Sequence, residues 1–208
     1  MARCPEVAPA GPVNWLALPP EPWKNGGGST RTLAADGAGR WRASIADVDR
    51  DGPYSCFPGY DRVSVVLSGQ GVELRGAGAR VVLPPGVPVG FAGDAAFQSR
   101  LLGGPVRVLN LFVLRGAASA RVHAVGAPAA TLSAGEPGGP ARTIRLVLAL
   151  RPGSLGGGGP GAPLAAGEFV ATAASGDAGA AFVPESGPAA GGLAAVVLDI
   201  GVAAPACP

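Results

Sequence analysis

The chain has 208 residues, of which 35 are Gly and 22 are Pro, a composition at the edge of the low-complexity range. Against disorder, 48% of the residues are hydrophobic and only 14% are charged, so enough apolar material is present for a folded core. A formal charge of +2, carried by scattered arginines without a basic stripe or interleaved aromatics, excludes a phosphate-backbone partner such as nucleic acid.

No apolar run reaches the roughly 18 residues that cross a bilayer. The first residues are broken by Glu6 and several prolines and do not form a signal h-region, so a cytoplasmic location is expected. The periodic segments are short and bounded by Gly and Pro, the rhythm of antiparallel strands. In chain order they are WRASIADV, RVSVVLSG, GVELRG, ARVVLPPG, PVGFAG, RVLNLFVLRG and SARVHAV, then TIRLVLAL, GEFVATAA, AAFVPES and LAAVVLDI, with RPGSLGGGGPGAP as a loop among the last four. No long segment reads as an amphipathic helix. The pattern predicts an all-β protein with a first half over 14–125, a Gly/Pro-rich connection over 126–140 and a second, diverged β half over 141–201. Folds with turns at this spacing are sandwiches or closed barrels, because closure removes exposed strand edges.

The two halves differ in chemistry. Nine of the eleven aromatic residues precede Arg115, as does Lys24, the single lysine, so the first half is expected to hold the site. His123 is the only histidine, which rules out a multi-histidine metal centre, and it lies in a strand-like stretch. The three cysteines, Cys4, Cys56 and Cys207, form no CxxC pair and read as free thiols. With no GxSxG elbow and no flanked nucleophilic Cys, neither catalytic residues nor a metal or other cofactor are assigned.

Three stretches in the first half carry donors and rings. In Trp23-Lys24-Asn25-Gly26-Gly27-Gly28-Ser29-Thr30-Arg31 the glycines permit positive φ and close backbone approach, while Lys, Asn, Ser and Arg supply donors suited to an anion. The Walker spacing GxxxxGK[ST] is absent, and a plain surface loop explains the stretch about as well. In Trp41-Arg42-Ala43-Ser44-Ile45-Ala46, alternation puts Arg42 and Ser44 on one face. That face either lines a barrel interior, where Arg42 is a fork for a carboxylate, or looks to solvent, and pattern alone slightly favours solvent. In the stretch from Asp51 to Arg62, turn-formers lie between aromatics. Its rings suit a pocket wall with Asp61 orienting Arg62, or a packed turn in which Asp61 caps the backbone.

Together, in this order and at these separations, WKNGGGSTR, WRASIADVDRDGPYSCFPGYDR, LSGQGVEL, FAGD and LLGGPVRVLNLFVLRG resemble the HutD/Ves family over roughly Asn14 to Val125. The resemblance implies a cupin-like double-stranded β-helix, two β-barrel halves packed as one bicupin-like unit, with a pocket that holds no metal. It also implies a link to histidine utilisation and a role in sensing an acidic pathway intermediate such as N-formylglutamate, without an established catalytic activity. The chain departs from the family pattern at Thr32, where Glu is usual, and at Val108, where Asp is usual, and both changes remove a carboxylate.

The candidate ligand-binding residues are Trp23, Lys24, Asn25, Arg42, Ser44, Phe57, Asp61, Arg62, Phe91, Asn110 and Arg115. The leading expectation is a protein that binds a small carboxylate-bearing metabolite. Two charge-assisted contacts at roughly 1.5–3 kcal/mol each would supply useful affinity in a partly dry barrel. The competing expectation is a metal-free cupin isomerase or hydrolase with Lys24 as base and Asp61 or Asp94 as acid. A third is a regulatory protein acting through protein contacts. A homodimer is the assembly allowed for, and neither nucleic acid nor a membrane is expected as a partner.

Overall fold

A computed structural model describes residues 11–126, 130–135, 142–155, 161–174, 182–185 and 192–203. Strands dominate it, and the one helical segment among the described residues is a 3-10 turn, Trp15–Ala17, capped by the Asn14 side chain. In the first part of the chain run β1 (Val13–Asn14), β2 (Glu21–Pro22), β3 (Gly28–Ala35), β4 (Trp41–Val48), β5 (Gly52–Tyr54) and β6 (Tyr60–Ser68). They are followed by β7 (Val72–Arg75), β8 (Arg80–Leu83), β9 (Val89–Ala92), β10 (Phe97–Leu101) and β11 (Val106–Leu114). The second part holds β12 (Ala118–Gly126), β13 (Ala130–Ala134), β14 (Arg142–Ala149), β15 (Gly153–Leu155), β16 (Pro163–Leu164), β17 (Glu168–Ala174), β18 (Phe182–Pro184) and β19 (Leu193–Val202). No described helix is long and apolar enough to cross a membrane.

The strands form four sheets stacked as layers. The first half pairs a six-stranded sheet, β2-β3-β4-β11-β6-β9, with a four-stranded sheet, β5-β10-β7-β8. The second half pairs a six-stranded sheet, β1-β17-β14-β19-β12-β13, with a three-stranded one, β16-β15-β18. All strand pairs are antiparallel, as expected for hairpin-connected jelly-roll sheets. The two six-stranded sheets lie back to back: Trp41, Ile45, Leu109 and Leu111 of one share a single buried cluster with Leu146, Leu148, Leu198 and Ile200 of the other. Two smaller cores fill the sandwiches, one around Leu74, Leu83 and Val108, the other around Val147, Leu164 and Phe182. This is the all-β sandwich architecture expected from the strand rhythm, arranged as the cupin-like pair of halves that the family resemblance implies.

Several local features differ from the sequence expectation. The end of the stretch 23–31, for which a surface loop is one of two readings, opens a full strand, Gly28–Ala35, whose glycine end lies against β4 and whose apolar end enters the central core. Residues 118–125, expected with the first half, belong to β12, which pairs with β13 and β19 in the second. Val13–Asn14 likewise pairs with β17. A strand at Ala130–Ala134 lies inside the expected Gly/Pro connection, Gly153–Leu155 lies inside the expected loop, and Pro163–Leu164 starts at that loop's last residue. Residues 127–129 and 136–140 of that connection fall outside the described residues, as do Cys4 and Cys207. Cys56 is an exposed free thiol.

One ionic clasp joins the halves. Asp36, in the β3–β4 turn, has only 2% of its side chain exposed and accepts from Arg40 Nε (2.8 Å), Arg40 Nη2 (3.0 Å) and Arg142 Nη2 (3.3 Å). Arg40 Nη1 in turn donates to the Ala203 carbonyl at 3.2 Å. Removing a nearly buried carboxylate strands its two arginines, so Asp36→Ala is expected to cost about 2–3 kcal/mol of unfolding free energy. The Arg40 guanidinium holds the Asp36 carboxyl below its ordinary value of 3.8. The clasp's contribution is therefore complete above that value and is lost as pH falls through the lowered one. Chemical denaturation between about pH 6 and about pH 2 should show a shallower acid loss of stability in Asp36→Asn than in the wild type; equal slopes would mean that the clasp carries no such linkage.

Candidate functional site

Period-two alternation along β4, β11 and β6 builds three transverse rows on the face turned toward the four-stranded sheet. Strand register places Arg42, Phe112 and Arg62 in the first row, Ser44, Asn110 and Ser64 in the second, and Ala46, Val108 and Val66 in the third. The third row belongs to the sandwich core. A cleft of about 480 Å³ is floored by the first row, by Ser44 and Asn110 of the second and by Ala46 at the edge of the third. Its walls come from the β2–β3 hairpin, with Glu21, Trp23, Lys24, Asn25 and Thr30, and from Pro53, Tyr54, Ser55 and Phe57.

The hairpin wall is fixed by its own turn chemistry. Trp23 N–H donates to the Gly28 carbonyl and Gly26 N–H to the Trp23 carbonyl, both at 2.9 Å. Asn25 Oδ1 accepts from Gly27 N–H at 2.9 Å, and Trp23 Nε1 donates to Thr30 Oγ1 at 2.8 Å, which sets the indole plane. Gly26 has φ +65°, and a Cβ on Gly28 would stand 2.1 Å from the Asp47 carbonyl oxygen, so this approach to β4 requires glycine.

Arg62 dominates the electrostatics. The residue is 4% exposed, and its guanidinium lies 4.5 Å from the Tyr54 ring centroid, 4.6 Å from Phe112, 5.0 Å from Phe91 and 5.3 Å from Phe57. It donates to the Ser55 carbonyl (3.0 Å) and to Asn110 Oδ1 (3.2 Å), while its buried Nε has no partner among the described residues. Burial lowers its pKa from the ordinary arginine value; Tyr54 opposes the shift and Arg42 adds to it. Arg42 stacks on the same rings, 4.9 Å from Phe112 and 5.7 Å from Phe57, and makes no hydrogen bond or ion pair among the described residues. Two like charges thus share one aromatic pair. Glu21, an exposed residue, is the one carboxylate in the lining.

Eight of the eleven candidate residues meet here: Trp23, Lys24, Asn25, Arg42, Ser44, Phe57, Arg62 and Asn110. The register settles the open reading of Arg42 in favour of the interior. Phe91 lies behind the lining, against Arg62 and edge-on to Phe97. Asp61 and Arg115 do not reach the cleft. Alternation along β6 turns Asp61 away from Arg62, so the expected Asp61–Arg62 pairing is absent, and Asp61 accepts from Arg115 Nε at 2.7 Å instead. Arg115 also binds Asp94, whose Oδ1 accepts from Gly59 N–H at 2.9 Å and whose carboxyl Arg115 and then that amide hold down to about 2. These three residues pin the Phe57–Gly59 turn from outside, which leaves neither Asp61 nor Asp94 placed as an acid facing the cleft. Tyr54, Phe112, Ser55 and Glu21 were not among the candidates. Phe112 follows Asn110 by two residues on one strand, so alternation is the signal that finds it. Tyr54 reaches the cleft only through β5–β10 pairing, which no local pattern reveals.

Thr32 and Val108, where the resemblance implies lost carboxylates, lie on this same face, opposite Ser44 and Ala46 respectively. Among the described residues no group of His, Cys, Asp or Glu side chains is placed to hold a metal ion. His123 sits in the second half and pairs with Thr131 Oγ1 at 3.0 Å.

The HutD family model matches residues 17–151. A protein described only as an uncharacterised 21.2 kDa protein in the hutC 3′ region of Pseudomonas putida is 42% identical over 100 residues, covering 45% of this chain and 52% of that one. Protein Ves of Citrobacter koseri is 36% identical over 112 residues, covering 51% and 59%. The chain thus spans little more than half the length of these curated relatives. Two solved structures align over nearly the full length. A conserved protein of unknown function from Pseudomonas aeruginosa PAO1 superposes with TM-score 0.65 at 26% identity, covering 94% of this chain and 98% of that one. HutD from Pseudomonas fluorescens SBW25, solved in a formate condition, gives 0.63 at 26% identity over 93% and 97%. With the family match spanning both the cleft-bearing sandwich and the start of the second, the chain belongs to the HutD family.

Proposed function

We propose that the cleft binds a small carboxylate-bearing metabolite and that the protein acts as a sensor or regulator rather than as a catalyst. The observation that carries this reading is the Arg42–Phe112–Arg62 row: two guanidiniums on one aromatic pair, neither matched to a carboxylate. A bound oxyanion would relieve their mutual repulsion and take up donors that the fold leaves unspent. Ser44 and Asn110 floor the cleft beside the row and suit a neutral polar group on the same ligand. Lys24 and Glu21 on the hairpin wall would sort ligands by what they carry at the outer end.

N-formylglutamate or a related histidine-catabolism intermediate has the matching chemistry, with carboxylates for the arginines and an amide for the neutral floor. Support for that choice comes from the family and from the name of the Pseudomonas putida relative, which ties it to the hutC region. The chain's alanine at 46 and valine at 108 keep the floor beyond Asn110 apolar, which limits the anion to the upper two rows.

The test is a thermal-shift screen against N-formylglutamate, urocanate, glutamate and sugar acids, followed by calorimetry, since a ligand that binds only the native state raises the melting temperature. A saturable hit is expected among the carboxylates, and Arg42→Ala is expected to weaken it at least about tenfold, or about 1.4 kcal/mol. Unchanged affinity in Arg42→Ala would place the ligand elsewhere, and no shift at millimolar concentrations would sink carboxylate binding.

A further inference from the structure

We infer that Asn110 is a specificity-determining residue of this cleft: it holds Arg62 in position without neutralising it, so that the charge is left for an anionic ligand. The inference rests on the binding reading above and deepens it.

Asn110 is 4% exposed at the centre of the second row. Its Oδ1 accepts from three side chains, Ser64 Oγ at 2.7 Å, Tyr54 Oη at 3.1 Å and Arg62 Nη2 at 3.2 Å. Arg62 fixes the amide orientation, because a guanidinium can only donate and only the amide oxygen can accept. The amide nitrogen has little to do: one contact to the Val108 carbonyl at 3.4 Å, on its own strand. An aspartate in this place would serve all three donors equally well. What it would change is charge.

A buried arginine is ordinarily matched by a carboxylate, since an uncompensated buried cation is costly. This protein has the geometry for that match and holds an amide in it. Elsewhere in the same chain the matching is done: Asp36 serves Arg40 and Arg142, Asp47 serves Arg31 and Arg107, and Asp199 serves Arg145. Of the two arginines buried among the described residues, Arg145 is matched by a carboxylate and Arg62 is not. With Asn at 110 the Arg42–Arg62 pair presents two uncompensated charges to the cleft; with Asp it would present one, and the oxyanion would meet a carboxylate beside Arg62. The amide therefore selects anionic over neutral ligands at the expense of ligand-free stability.

Opposite movements of stability and binding test this. Asn110→Asp, Asn110→Ala and the wild type are melted without ligand and then titrated with sodium glutarate, a plain dicarboxylate, at constant ionic strength. Asn110→Asp is expected to melt higher than the wild type by about 2 °C or more and to bind glutarate at least about tenfold more weakly. Asn110→Ala, which removes the acceptor without adding charge, is expected to melt lower. If Asn110→Asp melts at or below the wild type, fails to fold, or binds glutarate as tightly, the inference is overturned, since Asn110 would then be a structural amide only. A wild type unmoved by glutarate and by every other carboxylate would bring down the binding reading. The ligand-free melting order would then decide alone whether Asn110 leaves Arg62 uncompensated.

Discussion

Arg62 carries a positive charge into the middle of a β-sandwich and meets four aromatic rings, one carbonyl and one amide oxygen, but no carboxylate. Each ring face offers a cation about 0.5–2 kcal/mol, and the two hydrogen bonds are charge-assisted, so the guanidinium is tolerated rather than neutralised. The neighbouring Arg42 raises the tension, because both cations lean on Phe57 and Phe112. Much of the first half follows from keeping this arrangement in place. The Phe57–Gly59 turn is pinned by Asp94 and Arg115, the Tyr54 hydroxyl is tied to Asn110, and the hairpin carrying Trp23 is drawn onto β4 through Gly28.

The architecture supplies a rigid floor. Because the two six-stranded sheets bury their backs against one another, β4, β11 and β6 are held from behind by a core of leucine, isoleucine and valine, and the site rests on strands rather than on loops. The second sandwich repeats the layering, but its corresponding charges are matched within the sheet: Arg145 lies opposite Asp199 in the strand register and forks onto it. The buried arginine of the first half thus meets rings where that of the second meets a carboxylate, and the concentration of aromatics in the first half is the sequence's counterpart of that difference.

Legibility in the sequence followed the physics of each feature. The strand rhythm was readable because Gly and Pro bracket nearly every apolar run, and WRASIADV coincides with β4 residue for residue. Alternation put Arg42 and Ser44 on one face, but which face looked inward was settled only by pairing with β11. Asp61 and Arg62 are neighbours in sequence and read as a pair, whereas a strand sends them to opposite sides. Gly28–Ala35 hid because its first residues are glycine and small polar residues, and Ala118–Gly126 joined the second half because it pairs with the distant β19, which local composition does not encode. The motif residues that survived into the cleft are those on β4, β6, β11 and the hairpin; Arg115, equally charged, is consumed by Asp61 and Asp94.

On the proposed reading, the Arg42–Arg62 pair is the anion-binding element of the protein. Side-chain Nε–Hε resonances of arginine, assigned with Arg42→Lys and titrated with N-formylglutamate and glutarate at fixed ionic strength, address it directly. The account predicts that the Arg42 resonance moves saturably and that Arg62 follows, while those of Arg75, Arg80 and Arg100, which surround Glu73 on the outer sheet, stay in place. Movement confined to the surface arginines, or a linear drift without saturation, would contradict it.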